Sequence, residues 1–223
     1  MVMKPKPQPV LEAQPTARDD SFLILDIIGD GADDLETNVM PAARAYHRFA
    51  AKRRMERIGQ REALSAVVPT CPAEGESIHV VSNAKFDFAT WIPVMLNWIG
   101  KAETLWVSTW TASRSNVVEL MAEWDSGRIG TVNFLSGLYF KRRETAVYSY
   151  LLEGIRQRGG RFRCSENHAK VLLLDNPATG IYLVVEGSAN LTSNPRTEQY
   201  TLTHDQGLHT FHREWMNEVL SAK

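Results

Sequence analysis

Beyond residue 77 the chain alternates short apolar runs with longer segments of helical composition. Residues 78–81, 105–110, 129–135 and 161–164 read as strands. Between them, residues 86–99, 116–124 and 144–158 read as helices. Ser113 or Ser115 caps the second, Gly159-Gly160 stops the third, and Pro93 marks a kink or the true start of the first. Strand and helix alternating at this spacing predict an α/β sandwich around a mixed, largely parallel sheet flanked by helices. The last third changes character. Residues 170–174, 181–185 and 199–203 are strand-like with short connections, and residues 207–220 form a closing helix that offers Phe211, Trp215, Val219 and Leu220 to a core.

The first seventy residues follow a different pattern. Residues 1–20 carry Pro5, Pro7, Pro9 and Pro15 among polar residues and read as a disordered tail. Residues 22–28 are a short β-type run closed by Gly29-Asp30-Gly31; Asp30, Asp33 and Asp34 match no calcium loop and suit a solvated turn. Residues 39–64 read as a helix with Pro41 in its first turn. That helix is strongly basic, with Arg44, Arg48 and Lys52 in one stripe and Arg53, Arg54, Arg57 and Arg61 beside it. Residues 68–75 read as a connecting loop. The expected organisation is a tail (1–20), a strand and basic-helix appendage (21–70) and a principal domain (71–223).

Composition narrows the classes. The 223 residues are 43% hydrophobic and 23% charged, enough to bury a substantial core. A net charge of −1 leaves no global basic field for nucleic acid, so anion binding would have to come from local patches. Two cysteines, Cys71 and Cys164, suggest no disulfide framework. No apolar run reaches the length of a membrane span, and the N-terminus lacks the signature of a signal peptide, so a cytoplasmic protein is expected.

Candidate chemistry gathers in the last third. Asn176-Pro177-Ala178-Thr179-Gly180 is strong turn chemistry between two apolar runs. An antiparallel hairpin centred near Ala178 pairs residues whose numbers sum to about 356. His168 then faces Ser188, and Lys170 faces Glu186. His168 and Lys170 share a strand face because side chains alternate with period two. Asn190 lies just beyond, and Gly187 lets the backbone approach closely. An imidazole, an ammonium, a hydroxyl and an amide at one end of a hairpin suit a phosphate. Lys170 supplies charge, Ser188 and Asn190 supply neutral donors, and His168 can attack phosphorus or move a proton. Trp106, Trp110 and Tyr139 are candidates to stack on bases or lipid chains; Trp106, in mid-strand, suits buried packing, and Trp110, at the end of its strand, is placed to reach the same edge.

His168-x-Lys170, then Asp175, then Gly187-Ser188-x-Asn190 resembles the HxKxxxxD…GSxN signature of the phospholipase D superfamily, and the small single-motif Nuc-type and Zucchini-like nucleases in particular. The resemblance implies a phospholipase D-like mixed β-sheet with one motif per chain. It makes His168 the nucleophile, forming a phosphohistidine. Lys170, Ser188 and Asn190 hold the phosphate oxygens, Glu198 orients the histidine, and Asp175 supports the site from the opposite strand face. Arg196 stands where family members often carry Asn, and offers itself as an added phosphate ligand. Since the family uses two motifs per active site, one motif per chain implies a homodimer sharing one site. The implied mechanism needs no metal or other cofactor.

The expected function is therefore a metal-independent phosphodiesterase, an endonuclease acting on DNA or RNA in a shared homodimer site. The basic runs at 44–61, 141–143 and 156–163 offer local phosphate contacts, the helical run reading equally as a solvated face. Two alternatives keep the same fold: a phospholipase D-type hydrolase of a phospholipid, and a non-catalytic nucleic-acid-binding module that keeps the phosphate grip. His204, His209 and His212 offer further acid or base candidates.

Overall fold

A computed structural model describes residues 39–193 and 195–222, with side chains from Lys52 onward. The tail 1–20, the run 22–28, the acids Asp30, Asp33 and Asp34, and the side chains of Arg44 and Arg48 lie outside the described residues. Ala50–Lys223 forms one compact unit.

The elements follow the sequence periodicity closely. Helix α1 spans Val39–Val67, followed by β1 (Ser77–Asn83), α2 (Trp91–Ile99), β2 (Ala102–Thr109) and α3 (Arg114–Asp125). Then come β3 (Ile129–Gly137), α4 (Leu138–Arg143), α5 (Thr145–Gln157) and β4 (Arg161–Ser165). The chain closes with β5 (Val171–Asn176), β6 (Ile181–Gly187), β7 (Thr197–His204) and α6 (Gln206–Ser221). Ser113 caps α3 by accepting from the Asn116 amide, and Asp205 caps α6 by accepting from Leu208. Pro93 lies in the first turn of α2, after a 3₁₀ turn at Phe88–Thr90, so it marks a start and not a kink. Helix α4, a single basic turn, was not predicted.

Among the described residues, seven strands form one mixed sheet in the order β1-β7-β6-β5-β2-β3-β4. The expectation of a largely parallel sheet is corrected. Only β2–β3 and β3–β4 are parallel; the other four pairings are antiparallel. The reason is the length of the connections. Helices α3 and α5 cross over to make parallel neighbours, whereas residues 166–170 are too few for a crossover. They carry the chain from the end of β4 past the ends of β3 and β2, and β5 then runs back down beside β2. Three strand spacings are about 14 Å, a span that an extended connection of this length reaches.

Period two sorts the central strands onto two faces. Leu172, Leu174, Leu183 and Val185 join the larger core with α2, α3 and α5. Val171, Leu173 and Val184 join Trp106, Leu135 and Met216 beneath α6. Burying each such side chain stabilises the fold by about 1.5–3 kcal/mol.

The last turns of α1 belong to this body. Leu64 and Val68 are fully buried in the larger core. Arg57 and Arg61, read from sequence as phosphate contacts, instead meet acids of the fold. Arg57 pairs with Asp87 at 2.9 Å and Glu119 at 3.3 Å, while Arg61 meets Glu119 and Glu123. No described helix is long and apolar enough to cross a membrane.

Candidate functional site

Strand directions decide where the candidate residues meet. The C-terminal ends of β1, β2, β3, β4 and β6 and the N-terminal ends of β5 and β7 share one edge of the sheet. His168 and Lys170 precede β5, Ser188 and Asn190 follow β6, Glu198 opens β7, and Trp110 follows β2, so all six reach that edge.

The hairpin register differs from the expected one by a single residue. Paired numbers sum to 357: Val171 faces Glu186 and Asn176 faces Ile181. The turn is a 3₁₀ segment at Pro177–Thr179 closed by left-handed Gly180, an even-numbered connection that moves the centre by half a residue. Lys170 therefore lies across from Gly187, whose amide donates to the Lys170 carbonyl at 3.2 Å. His168 lies outside the ladder, on the connection that crosses the ends of β3 and β2.

That crossing is pinned by polar groups the sequence reading did not single out. Asn167 donates from Nδ2 to Ser108 Oγ at 2.9 Å and accepts the Ala169 amide at 3.1 Å. Ser108 donates to the Ala169 carbonyl at 3.1 Å. Polar Ser108 and Thr109, both fully buried at the end of an apolar strand, were the available signal.

His168 is exposed and Lys170 is buried. Their side chains meet: Lys170 Nζ lies 2.8 Å from His168 Nδ1. Burial pushes the Lys170 ammonium below its ordinary value, and the Glu198 charge acts in the opposite direction. Ser188 donates to Glu198 Oε2 and accepts the Gln199 amide at 3.1 Å. Asn190 Oδ1 accepts the Trp110 amide at 3.2 Å, and Thr109 Oγ1 accepts the Leu191 amide at 3.0 Å, so the corner after β6 is tied to the end of β2. The Trp110 ring packs against His168, with centroids 5.5 Å apart.

Gly187 has a different role from the one expected of it. A Cβ there would lie 2.8 Å from the Gln199 carbonyl oxygen and 3.0 Å from the Tyr200 ring. The glycine admits β7 and the buried tyrosine beneath the corner.

Arg196 is exposed on the connection just before β7, at the same edge. One candidate lies elsewhere. Asp175 is at the opposite end of β5, on the α6 face. It accepts from the Thr104 amide at 2.9 Å and the Thr104 hydroxyl at 2.7 Å, with His209 Nε2 at 3.6 Å. This makes it a tie between β5, β2 and α6, not a member of the constellation. His204 is buried at that far end against the Pro72 carbonyl. Among the described residues, no group of three or more His, Cys, Asp or Glu could hold a metal.

His209 and His212 are buried under the sheet. Burial lowers His209 from an ordinary 6.5 to about 4, with Asp175 opposing and Arg213 and His212 reinforcing the shift. Burial also lowers His212, against the pull of Glu186 at 3.3 Å. Both bind a proton less readily in the fold than when unfolded. Their contribution is therefore complete above about pH 6.5 and is lost as pH falls toward the folded value. The urea midpoint should drop steadily over that window. His209→Gln should flatten the slope, and a slope unchanged by the substitution would place the proton uptake elsewhere.

No protein-family model matches the sequence, and no curated protein does. Similarity appears among solved structures. A phospholipase D family member, Nuc, from Salmonella typhimurium aligns over 64% of this chain and 93% of its own, at 17% identity and a TM-score of 0.46. Polyphosphate kinase from Porphyromonas gingivalis aligns over 66% of this chain at 16% identity and a TM-score of 0.50; this chain spans 26% of its length. Phosphatidylserine synthase from Haemophilus influenzae aligns over 64% of this chain and 37% of its own, at 11% identity and a TM-score of 0.45. The likeness is one of fold.

Proposed function

We propose that the chain is a phosphodiesterase that cleaves nucleic-acid phosphodiester bonds without a metal, through a covalent intermediate on His168. The observation that carries this reading is the pairing of exposed His168 with buried Lys170, at 2.8 Å, on an edge that also holds Ser188, Asn190 and Glu198. A nucleophile must be reachable, whereas the cation that steadies the developing charge gains from a drier position.

Lys170 supplies the charge that holds a non-bridging phosphate oxygen. Asn190, whose Oδ1 accepts the Trp110 amide, keeps its Nδ2 group as the donor for a phosphate oxygen. Ser188 can exchange Glu198 for a phosphate oxygen. An imidazole nitrogen of His168 bonds to phosphorus while the bond from phosphorus to the leaving sugar oxygen breaks. The leaving oxygen takes a proton from the His168 of a second copy. That histidine then draws a proton from water, which attacks the phosphohistidine and frees His168. Glu198 acts on the charge balance of Lys170 and is the candidate to orient His168. Arg196 is a further phosphate ligand at the rim.

The test is incubation of the protein in chelator with single- and double-stranded DNA, RNA, phosphatidylcholine vesicles and a bis-aryl phosphodiester. Sedimentation is run at the same concentration. Nucleic-acid cleavage by a dimer supports the proposal. Cleavage of the vesicle lipid alone would move the substrate to phospholipids. Tight binding with no cleavage would leave a phosphate grip, and an active monomer would remove the shared site.

A further inference from the structure

Tyr139 has no part in the chemistry above. It is the second residue of α4, which leaves β3 at the site edge. Its ring stacks on Trp110 with centroids 4.3 Å apart and planes at 24°. Trp110 in turn backs His168, so the three rings form a continuous series. Gly137 makes room for it: a Cβ there would lie 2.5 Å from Trp110 Cδ1 and 2.8 Å from the Trp110 carbonyl oxygen.

Stacked aromatic pairs are ordinary in cores. This pair reaches the surface, where Tyr139 is 39% exposed. Arg142 and Arg143 follow Tyr139 at i+3 and i+4, on the same side of the helical turn, and both are exposed along with Lys141. An exposed π face beside two cations is the composition that binds single-stranded nucleic acid, because every base has a face to stack and every linkage a charge to meet. A duplex keeps its base faces stacked inside and presents none to Tyr139. An acyl chain would instead need a contiguous apolar patch.

We infer that Tyr139, supported by Trp110, stacks an unpaired nucleobase next to the phosphodiester held at His168, so that the site prefers single-stranded DNA or RNA to duplex. The inference rests on the phosphodiesterase reading and names its substrate class.

Two measurements test it. In the first, His168→Ala protein, which leaves the substrate intact, is titrated into single-stranded DNA carrying 2-aminopurine. The base fluorescence should be quenched on stacking. Adding Tyr139→Leu should remove the quench, and adding Tyr139→Phe should keep it. In the second, kcat/KM is compared for single-stranded and duplex DNA of one sequence. Tyr139→Leu should lower that ratio at least about fivefold, the lower end of what one base–aromatic stack contributes, and Tyr139→Phe should restore it. A quench and a ratio unaffected by Tyr139→Leu would overturn the stacking site. So would a parent protein that neither quenches the probe nor binds the oligonucleotide. A parent that quenches the probe but cleaves nothing in chelator would refute the phosphodiesterase reading while leaving the stacking site standing.

Discussion

His168→Ala should abolish phosphodiester cleavage in chelator while leaving the melting temperature close to that of the parent. Proton transfer by a placed side chain is worth 10²- to 10⁴-fold. Loss of both the nucleophile and, from the second copy, the acid should exceed that, with a fall of at least about 10⁴-fold in kcat. The stability half of the expectation follows from exposure. His168 is exposed and lies outside the strands, whereas the crossing that carries it is held by Asn167 and Ser108. Surface substitutions of this kind usually stay within about 0.5 kcal/mol. Lys170→Met should also reduce kcat severely, since it removes the cation but keeps the buried stem. Turnover by His168→Ala within tenfold of the parent would contradict the assignment.

The largest stability effect should come from a different residue. Asp87 is 4% exposed and accepts from five groups: Arg57 at 2.9 Å, Asn116 Nδ2 at 3.1 Å, the Thr90 amide at 3.1 Å, the Thr90 hydroxyl at 2.9 Å and the Ser193 hydroxyl at 3.2 Å. It thus joins α1, the start of α2, α3 and the loop that follows the Asn190 corner. Removing one partner of a buried ion pair and hydrogen-bond network costs about 3–5 kcal/mol. At about 2–4 °C per kcal/mol for a chain of this size, Asp87→Ala should lower Tm by about 10 °C. The cost is shared between Arg57, which then keeps Glu119 as its acid partner, and the Asn116, Thr90 and Ser193 donors left without their acceptor, so Asp87→Ala with Arg57→Met should melt closer to Asp87→Ala alone than additive shifts would give. Strictly additive melting shifts would show that the pair is not coupled.

These two residues differ in how far the sequence revealed them. His168 stood out because its partners are close in sequence and lie on strands whose alternation is plain. The hairpin, its polar end and the opposite-face position of Asp175 all follow from period two. The register was off by one because the 3₁₀ turn at Pro177–Thr179 sets the centre of the hairpin, and turn residues alone do not distinguish it from a tighter connection. Gly187 was recognisable as a close approach, but the group that approaches is β7, which enters the sheet from elsewhere in the chain. Strand direction was misjudged for the same reason. Alternating strands and helices describe β2, β3 and β4 correctly, while the return of β5 beside β2 depends on a five-residue crossing whose course is tertiary. Asp87 and Arg57 are thirty residues apart and carry no local pattern. The basic helix looked like a phosphate surface because the acids that meet Arg57 and Arg61 lie on α3 and before α2. Tyr139 is recognisable in the sequence as an aromatic able to stack on a base or lipid chain, but the brevity of α4, with no period to detect, conceals its place at the site edge beside Trp110.

Transfer of the phosphoryl group to His168 can be caught by quenching a reaction with a labelled phosphodiester in alkali, where phosphohistidine survives, and mapping the modified peptide by mass spectrometry. The proposal predicts a phosphoramidate on His168 that forms within one turnover, is lost in acid and is absent from His168→Ala. Steady turnover with no adduct on His168, or an adduct on another residue that persists in His168→Ala, would contradict it.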